Sequence, residues 1–288
     1  MTHTLKGQCI AEFFGTALFI FFGTSCLCAV RLADSGLNSW DICIVWGFAI
    51  SLSVYLTAGI SGAHLNPAVT IAFWLFANFE RHKVIPYSLS QLAGTFCGSA
   101  LCYYFYQDLF VGYIHAHHIL LGTENSLYLA GIFTTFPHPA ITVTHAFMVE
   151  VILTAIMMCL IMSLTDDGHG VPRGALAPLL IGIMIGVIGA AAGPLTGYAM
   201  NPARDFGTRL FIYLAGWGNI AMTGGRDIPY VFVPLIAPVI GTCIGAITYR
   251  VLIVKYFPSP YDEQQMLMAE QSHGDVDLKK PTFKGKAL

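Results

Sequence analysis

Two ten-residue stretches hold the residue types best suited to chemistry. Residues 61–70 read SGAHLNPAVT and residues 196–205 read TGYAMNPARD. Asn before Pro starts a helix. The Asn side-chain oxygen accepts a free backbone N–H, and Pro67 or Pro202 fits the first turn, where its missing N–H costs nothing. With that oxygen occupied, the side-chain nitrogens of Asn66 and Asn201 are free to donate. The residues before each Asn can offer backbone carbonyls: Gly62, Ala63, His64 and Leu65 in one copy, Gly197, Tyr198, Ala199 and Met200 in the other. Rows of acceptors with two central donors suit a string of hydroxyl groups, and no covalent step is implied.

The remaining reactive groups point to less. Glu12 and Glu150 lie inside apolar runs, where an ionisable group is a functional candidate. A proton-coupled transporter would use such carboxylates. The reading favoured by their symmetry is structural: each accepts backbone N–H groups of its own half's Asn-Pro-Ala loop. His64 either lines a pore or braces the loop with its ring while its carbonyl stays exposed. His115, His117 and His118 have no matching Cys or carboxylate pattern, so a solvated loop is expected rather than a metal site. Asp166-Asp167-Gly168 reads as a turn. The eight Cys all lie in apolar runs, where buried thiols are expected and no disulfide framework follows. No nucleophile–base pair stands out, so no enzyme is implied, and no cofactor or metal is expected.

These residues need a scaffold that crosses a membrane. Of 288 residues, 56% are hydrophobic and 10% charged, against about a quarter charged in a soluble domain. The net charge of −2 gives no reason to expect a nucleic-acid partner; lipid is the expected surroundings. Apolar runs predict six spans, at 9–30, 40–60, 85–106, 144–164, 175–193 and 229–254. The first is too long, and carries Glu12, for a cleaved signal peptide. After each Asn-Pro-Ala comes an apolar segment too short to cross a bilayer. It forms a half-helix, and bare backbone beside it is tolerated at that depth only against protein or a wet cavity. A channel domain over 1–255 is expected, with a polar loop at 107–143 and a disordered tail over 256–288.

The halves repeat, over about 8–107 and 144–255, joined by an outer loop over 108–143. Glu12 and Glu150 sit early in each. Asn66 and Asn201 are 135 apart. Ile85-Pro86-Tyr87 and Ile228-Pro229-Tyr230 open the third and sixth spans. Three spans per half is an odd number, so the halves are inverted about an axis in the membrane plane. The expected fold is all-α and integral to the membrane, with six spans and two re-entrant half-helices. The half-helices meet N-terminus to N-terminus, where their dipoles disfavour a cation. With both termini inside, ten Lys or Arg fall on the cytoplasmic side and four (Arg31, Arg204, Arg209, Arg226) on the outer side.

On these motifs the chain resembles the major intrinsic protein (aquaporin) family over nearly all of residues 5–255. It is most similar to the bacterial glycerol facilitators, the aquaglyceroporin branch. Asp205 after Arg204 and the Gly-Pro-Leu-Thr-Gly run at 193–197 carry that finer likeness. The resemblance implies a passive channel for glycerol and small linear polyols, with some water, in a bacterial cytoplasmic membrane. It also implies a homotetramer with one pore per subunit. By the same resemblance Trp46, Gly189, Tyr198 and Arg204 form the narrow filter. Two aromatic faces would take the CH edge of a polyol, and Arg204 its hydroxyls. Gly189 replaces a His found in water-selective members, leaving width, although helix packing alone would also explain a Gly there. Tyr198 stands where Phe is usual, and its hydroxyl either narrows the filter or adds a hydrogen bond. The rivals are a water-selective channel, opposed by Gly189 and Asp205, and an ion-coupled transporter.

Overall fold

The computed structural model describes residues 4–166 and 174–256, and among them there is no strand. The turn expected at 166–168 falls largely, and the tail beyond Tyr256 wholly, outside the described residues. Helix α1 (Leu5–Leu32) starts at Thr4, whose hydroxyl accepts the Gly7 N–H. Helix α2 (Ser39–Ser61) starts on a capping box made by Asn38 and Asp41. The half-helix α3 (Pro67–Phe76) follows, then α4 (Arg81–Ala116). A four-residue turn of helix, α5 (Leu127–Ala130), lies in the connection to α6 (Val143–Thr165). Next come α7 (Ala177–Thr196), the half-helix α8 (Pro202–Ile212), the short α9 (Asn219–Thr223) and α10 (Phe232–Ile247). A π turn over Thr248–Ile253 lengthens the last span.

Five stretches among the described residues are long and apolar enough to cross a bilayer, built on α1, α2, α6, α7 and α10. The remaining span, α4, is long enough but more polar. The polar groups at its middle are turned inward: Gln91, Thr95 and Ser99 are fully buried, while Leu89, Tyr104 and Phe105 face out. The apolar outer face is what lipid requires, and the inner face supplies hydrogen bonds. At 36 residues α4 spans about 54 Å. It therefore continues past the expected end at 106, so the supposed outer loop begins as helix.

The half-helices are about 15–17 Å long, half the ~30 Å hydrocarbon core. Each is preceded by the same backbone figure. Gly62, Ala63 and Leu65 have positive φ, and so do Gly197, Tyr198 and Met200. Four of these six carry a side chain, so strained backbone is a property of both loops. The halves pack as counterparts, with α1 on α2 and α4, and α6 on α7 and α10. The α2–α7 seam joins them. A Cβ on Gly47 would lie 2.5 Å from the Gly182 carbonyl oxygen, so only glycine lets these backbones approach.

The connection after α4 is not a solvated loop throughout. Leu129, Ala130, Ile132 and Phe133 are fully buried, packed with Phe110, Ile212 and Trp217. Two of the four outer-side Arg residues are buried as well, Arg204 and Arg209. They belong to the protein interior and do not count as loop charges.

Candidate functional site: a constriction between two cavities

The two Asn residues bind across the junction of the half-helices. Asn66 Oδ1 accepts the Ala68 N–H at 2.9 Å, and Asn201 Oδ1 accepts those of Ala203 and Arg204 at 3.0 and 3.1 Å. Asn66 Nδ2 donates to the Met200 carbonyl at 2.9 Å, and Asn201 Nδ2 to the Leu65 carbonyl at 2.7 Å. One amide hydrogen of each Asn is thus spent on the other loop, and the second remains for the lumen. The carbonyls of Leu65 and Met200 each accept one bond there and keep a second lone pair. Pro67 and Pro202 open the two half-helices.

The loops hang on the two buried carboxylates. Glu12 accepts from Ser61 Oγ (2.6 Å), His64 N (2.9 Å), Leu65 N (2.7 Å) and Gln91 Nε2 (2.7 Å). Glu150 accepts from Thr196 Oγ1 (2.6 Å), Ala199 N (3.0 Å) and Met200 N (2.9 Å). Ser61 and Thr196, like Leu65 and Met200, are 135 apart, so one device serves both halves. The His64 ring packs 4.4 Å from Phe79, 5.0 Å from Phe73 and 5.2 Å from Tyr87, with Nδ1 3.1 Å from the Thr70 hydroxyl.

A cavity of about 670 Å³ holds both Asn residues, Gly62, Ala63, His64, Leu65, Ala199 and Met200, and reaches Glu80 and Lys83 at one mouth. There the Lys83 ammonium, 2.5 Å from Glu80, holds that carboxyl below its ordinary range. A second cavity of about 300 Å³ lies beyond, bordered by Arg31, Thr134, Thr135 and Gly197. Three residues line both cavities: Trp46, Tyr198 and Arg204. They mark where the two cavities adjoin. The Arg204 guanidinium lies 4.7 Å from the Trp46 ring and donates to the Phe133 carbonyl at 3.0 Å. A guanidinium carries five N–H donors, more than that one carbonyl takes.

Gly189 lines neither cavity. A Cβ there would sit 2.8 Å from Tyr198 Cζ, and one on Gly193 would sit 3.2 Å from the same ring. The space these glycines leave is filled by the Tyr198 ring. Gly23 does the same for Trp46, at 2.5 Å. Asp205 is fully buried and pairs with Arg209. It also accepts from Thr134 Oγ1 (2.9 Å), Thr135 N (3.0 Å) and Thr135 Oγ1 (2.6 Å). Arg209 donates further to the carbonyls of Thr135 and Ala221. This pair ties α8 to the 130–136 segment, and so fixes the Phe133 carbonyl that holds Arg204. Gly23, Phe133, Thr134, Thr135 and Arg209 carry no sequence signal for these roles. Only the i, i+4 spacing of Asp205 and Arg209 on a helix could have flagged the pair.

The major intrinsic protein family model matches residues 1–249. The chain belongs to this family. The propanediol uptake facilitator of Citrobacter freundii is 60% identical over 258 residues, covering 90% of this chain and 96% of that protein. The glycerol uptake facilitator of Escherichia coli K12 is 58% identical over 257 residues, 89% and 92% of the two chains. The glycerol uptake facilitator of Pseudomonas aeruginosa is 58% identical over 258 residues, 90% and 92%. Among solved structures, the aquaglyceroporin of Plasmodium falciparum superposes with a TM-score of 0.74 at 30% identity, covering 88% of this chain and 98% of that one. As a major intrinsic protein, the chain is a membrane channel and not an enzyme. An ion-coupled transporter on the same elements is not favoured.

Proposed function

We propose that this channel conducts three-carbon polyols, glycerol foremost, down their gradient across the cytoplasmic membrane of a bacterium. Some water passes with them, while ions and protons are excluded. The observation that carries the reading is that Trp46, Tyr198 and Arg204 line both cavities. Trp46 and Tyr198 offer apolar faces to a CH edge, and Arg204 offers guanidinium donors to neighbouring hydroxyls. Below Arg204, the second amide hydrogens of Asn66 and Asn201 serve as donors and the loop carbonyls as acceptors, so a hydroxyl chain exchanges partners as it moves. Two helix N-termini and one guanidinium place positive potential on the path, which raises the barrier for cations. The relatives named for glycerol and for propanediol both carry three-carbon alcohols in their names. The subunit is proposed to work as one pore of a homotetramer.

Stopped-flow light scattering on proteoliposomes tests this. Fast, non-saturating, ion-independent glycerol entry, reduced by substitution of Arg204 and altered by substitution of Tyr198, is the expected result. Fast water flow with glycerol excluded would overturn the polyol reading.

A further inference from the structure

The smaller cavity holds a second guanidinium whose role the polyol path leaves open. Its lining contains two cations, Arg31 and Arg204, and no Asp or Glu, and its walls include Leu27, Ile42 and Leu127. A cleft of one sign with low-dielectric walls concentrates the opposite ion. Neither charge is neutralised inside the cavity. Asp205, next to Arg204 in the chain, is committed to Arg209, Thr134 and Thr135. Among the described residues the ion pairs are those of Glu80 with His82 and Lys83 and of Asp205 with Arg209, so Arg31 has no acid partner. Arg31 is nevertheless held in place. It donates to the Tyr128 carbonyl, and its guanidinium lies 4.8 Å from the centre of the Tyr128 ring. A Cβ on Gly131 would come within 2.9 Å of Arg31 Nη1, so the glycine makes room for it. A planar fork fixed in this way suits a carboxylate, which takes two parallel bonds.

We propose that this cavity binds small carboxylates of the polyol's own size, anchored on Arg31, and that the bound anion blocks conduction. A carboxylate is drawn in and has nowhere further to go. Past Arg204, the larger cavity is lined by one more Lys or Arg, Lys83, which lies 2.5 Å from Glu80 at the far mouth. A charge moved inward from Arg31 and Arg204 would shed water without gaining a counter-ion. A neutral polyol carries no such penalty, so the cavity separates an alcohol from the acid of the same carbon skeleton. Glycerate is the simplest ligand of this class. It has three carbons and two neighbouring hydroxyls, as glycerol has, with a carboxylate in place of the third hydroxymethyl group. The block, though not the binding, rests on the proposed polyol conduction.

Two measurements test this. Equilibrium dialysis of the detergent-solubilised channel against radiolabelled glycerate reads binding without reference to transport. Stopped-flow glycerol entry into proteoliposomes, with glycerate on both sides at constant ionic strength and osmolality, reads the block, and chloride replaces glycerate in the control. The wild-type channel is expected to bind glycerate and to lose glycerol permeability with a midpoint at the dissociation constant found by dialysis. Arg31→Gln is expected to raise both values about tenfold or more, the scale of a charged hydrogen bond, each variant being scored against its own permeability in chloride. Arg31→Lys keeps the charge and loses the fork, and about threefold weaker binding is expected; it serves as the test if the Gln variant does not insert. Each of four results would overturn the proposal: no binding in dialysis, an equal effect of chloride, binding unchanged in the Arg31 variants, or glycerate entering as fast as glycerol. Glycerate bound by a channel that carries no glycerol fails the polyol reading and leaves the site standing. Glycerol conduction with no glycerate binding fails only this inference.

Discussion

Replacing Asp205 with Asn tests whether the buried ion pair holds the filter in place. Asp205 and Arg209 are both fully buried and share one helix turn of α8. Asn keeps the shape and one acceptor oxygen but removes the charge. Arg209 then keeps two carbonyls and the faces of Phe136 and Tyr230, at 4.8 and 5.5 Å, with no counter-ion. Breaking a buried pair from one side costs about 3–5 kcal/mol, because the remaining charge is uncompensated. Such a loss is large against the stability of a whole domain. The 130–136 segment loses its anchor, and the Phe133 carbonyl no longer fixes Arg204. Thermal denaturation in detergent, followed by glycerol and ion permeability of the reconstituted protein, reads both effects. The expected outcome is a clear drop in the transition temperature and a lower glycerol permeability. An Asp205→Asn, Arg209→Met double variant removes the stranded charge and is expected to recover much of the stability. A single variant as stable as the parent, or a double variant that loses the sum of both singles, would refute the reasoning.

Three further outcomes follow from contacts already described. Gly189→Ala places a methyl 2.8 Å from Tyr198 Cζ, so the ring is pushed toward the lumen; stopped-flow traces should show glycerol permeability falling further than water permeability. Gly23→Ala places a methyl 2.5 Å from the Trp46 indole. Overpacking of this kind costs about 1–3 kcal/mol, and both the tryptophan fluorescence and the glycerol permeability should change. Glu150→Gln cannot satisfy both the Ala199 and the Met200 N–H, whichever way the amide is turned. One buried backbone donor is left over, at about 1–3 kcal/mol, and reduced polyol flux at unchanged membrane insertion is the expected reading.

What could be read from the sequence was set by periodicity and chain geometry. An Asn-Pro after an apolar run starts a helix for local reasons, so α3 and α8 begin where the motif says. The order Glu, Asn-Pro-Ala, Ile-Pro-Tyr repeats, so the two halves were visible before any contact was known. Span ends were less legible. Val143–Thr165 departs by a residue from the expected 144–164, whereas α4 runs on to Ala116. The polar residues at its middle face inward, and a hydropathy reading cannot tell an inward Gln91 from an exposed one. The 107–143 stretch was the least legible. Its buried part, around Phe133, is held by Asp205 and Arg209, which lie some seventy residues further along. No local pattern encodes such a partner. For Gly189 the sequence left width and helix packing both open: a glycine leaves space, but which side chain takes that space, here Tyr198, is a tertiary fact.

The site's asymmetry has its source in that same stretch. Both halves build an equivalent loop, on Glu12 and on Glu150, and both loops hand a carbonyl to the opposite Asn. Symmetry alone would put equivalent constrictions on both sides of the Asn pair. The counterparts diverge where the 130–136 segment enters. Tyr87 donates its hydroxyl to the Ser61 carbonyl in the first half. Its counterpart Tyr230 gives its ring to Arg209 instead. In the second half the positions after Asn-Pro-Ala are Arg204 and Asp205; in the first they are Val69 and Thr70. The Arg reaches the lumen, and the Asp captures the inserted segment that holds it there. Without a bracing segment, a charged side chain at that depth would have to find its partners in the lumen itself. The proposed filter therefore lies on the side where the chain between α4 and α6 folds back inward, and the duplicated frame supplies the central donors proposed to serve both directions of travel.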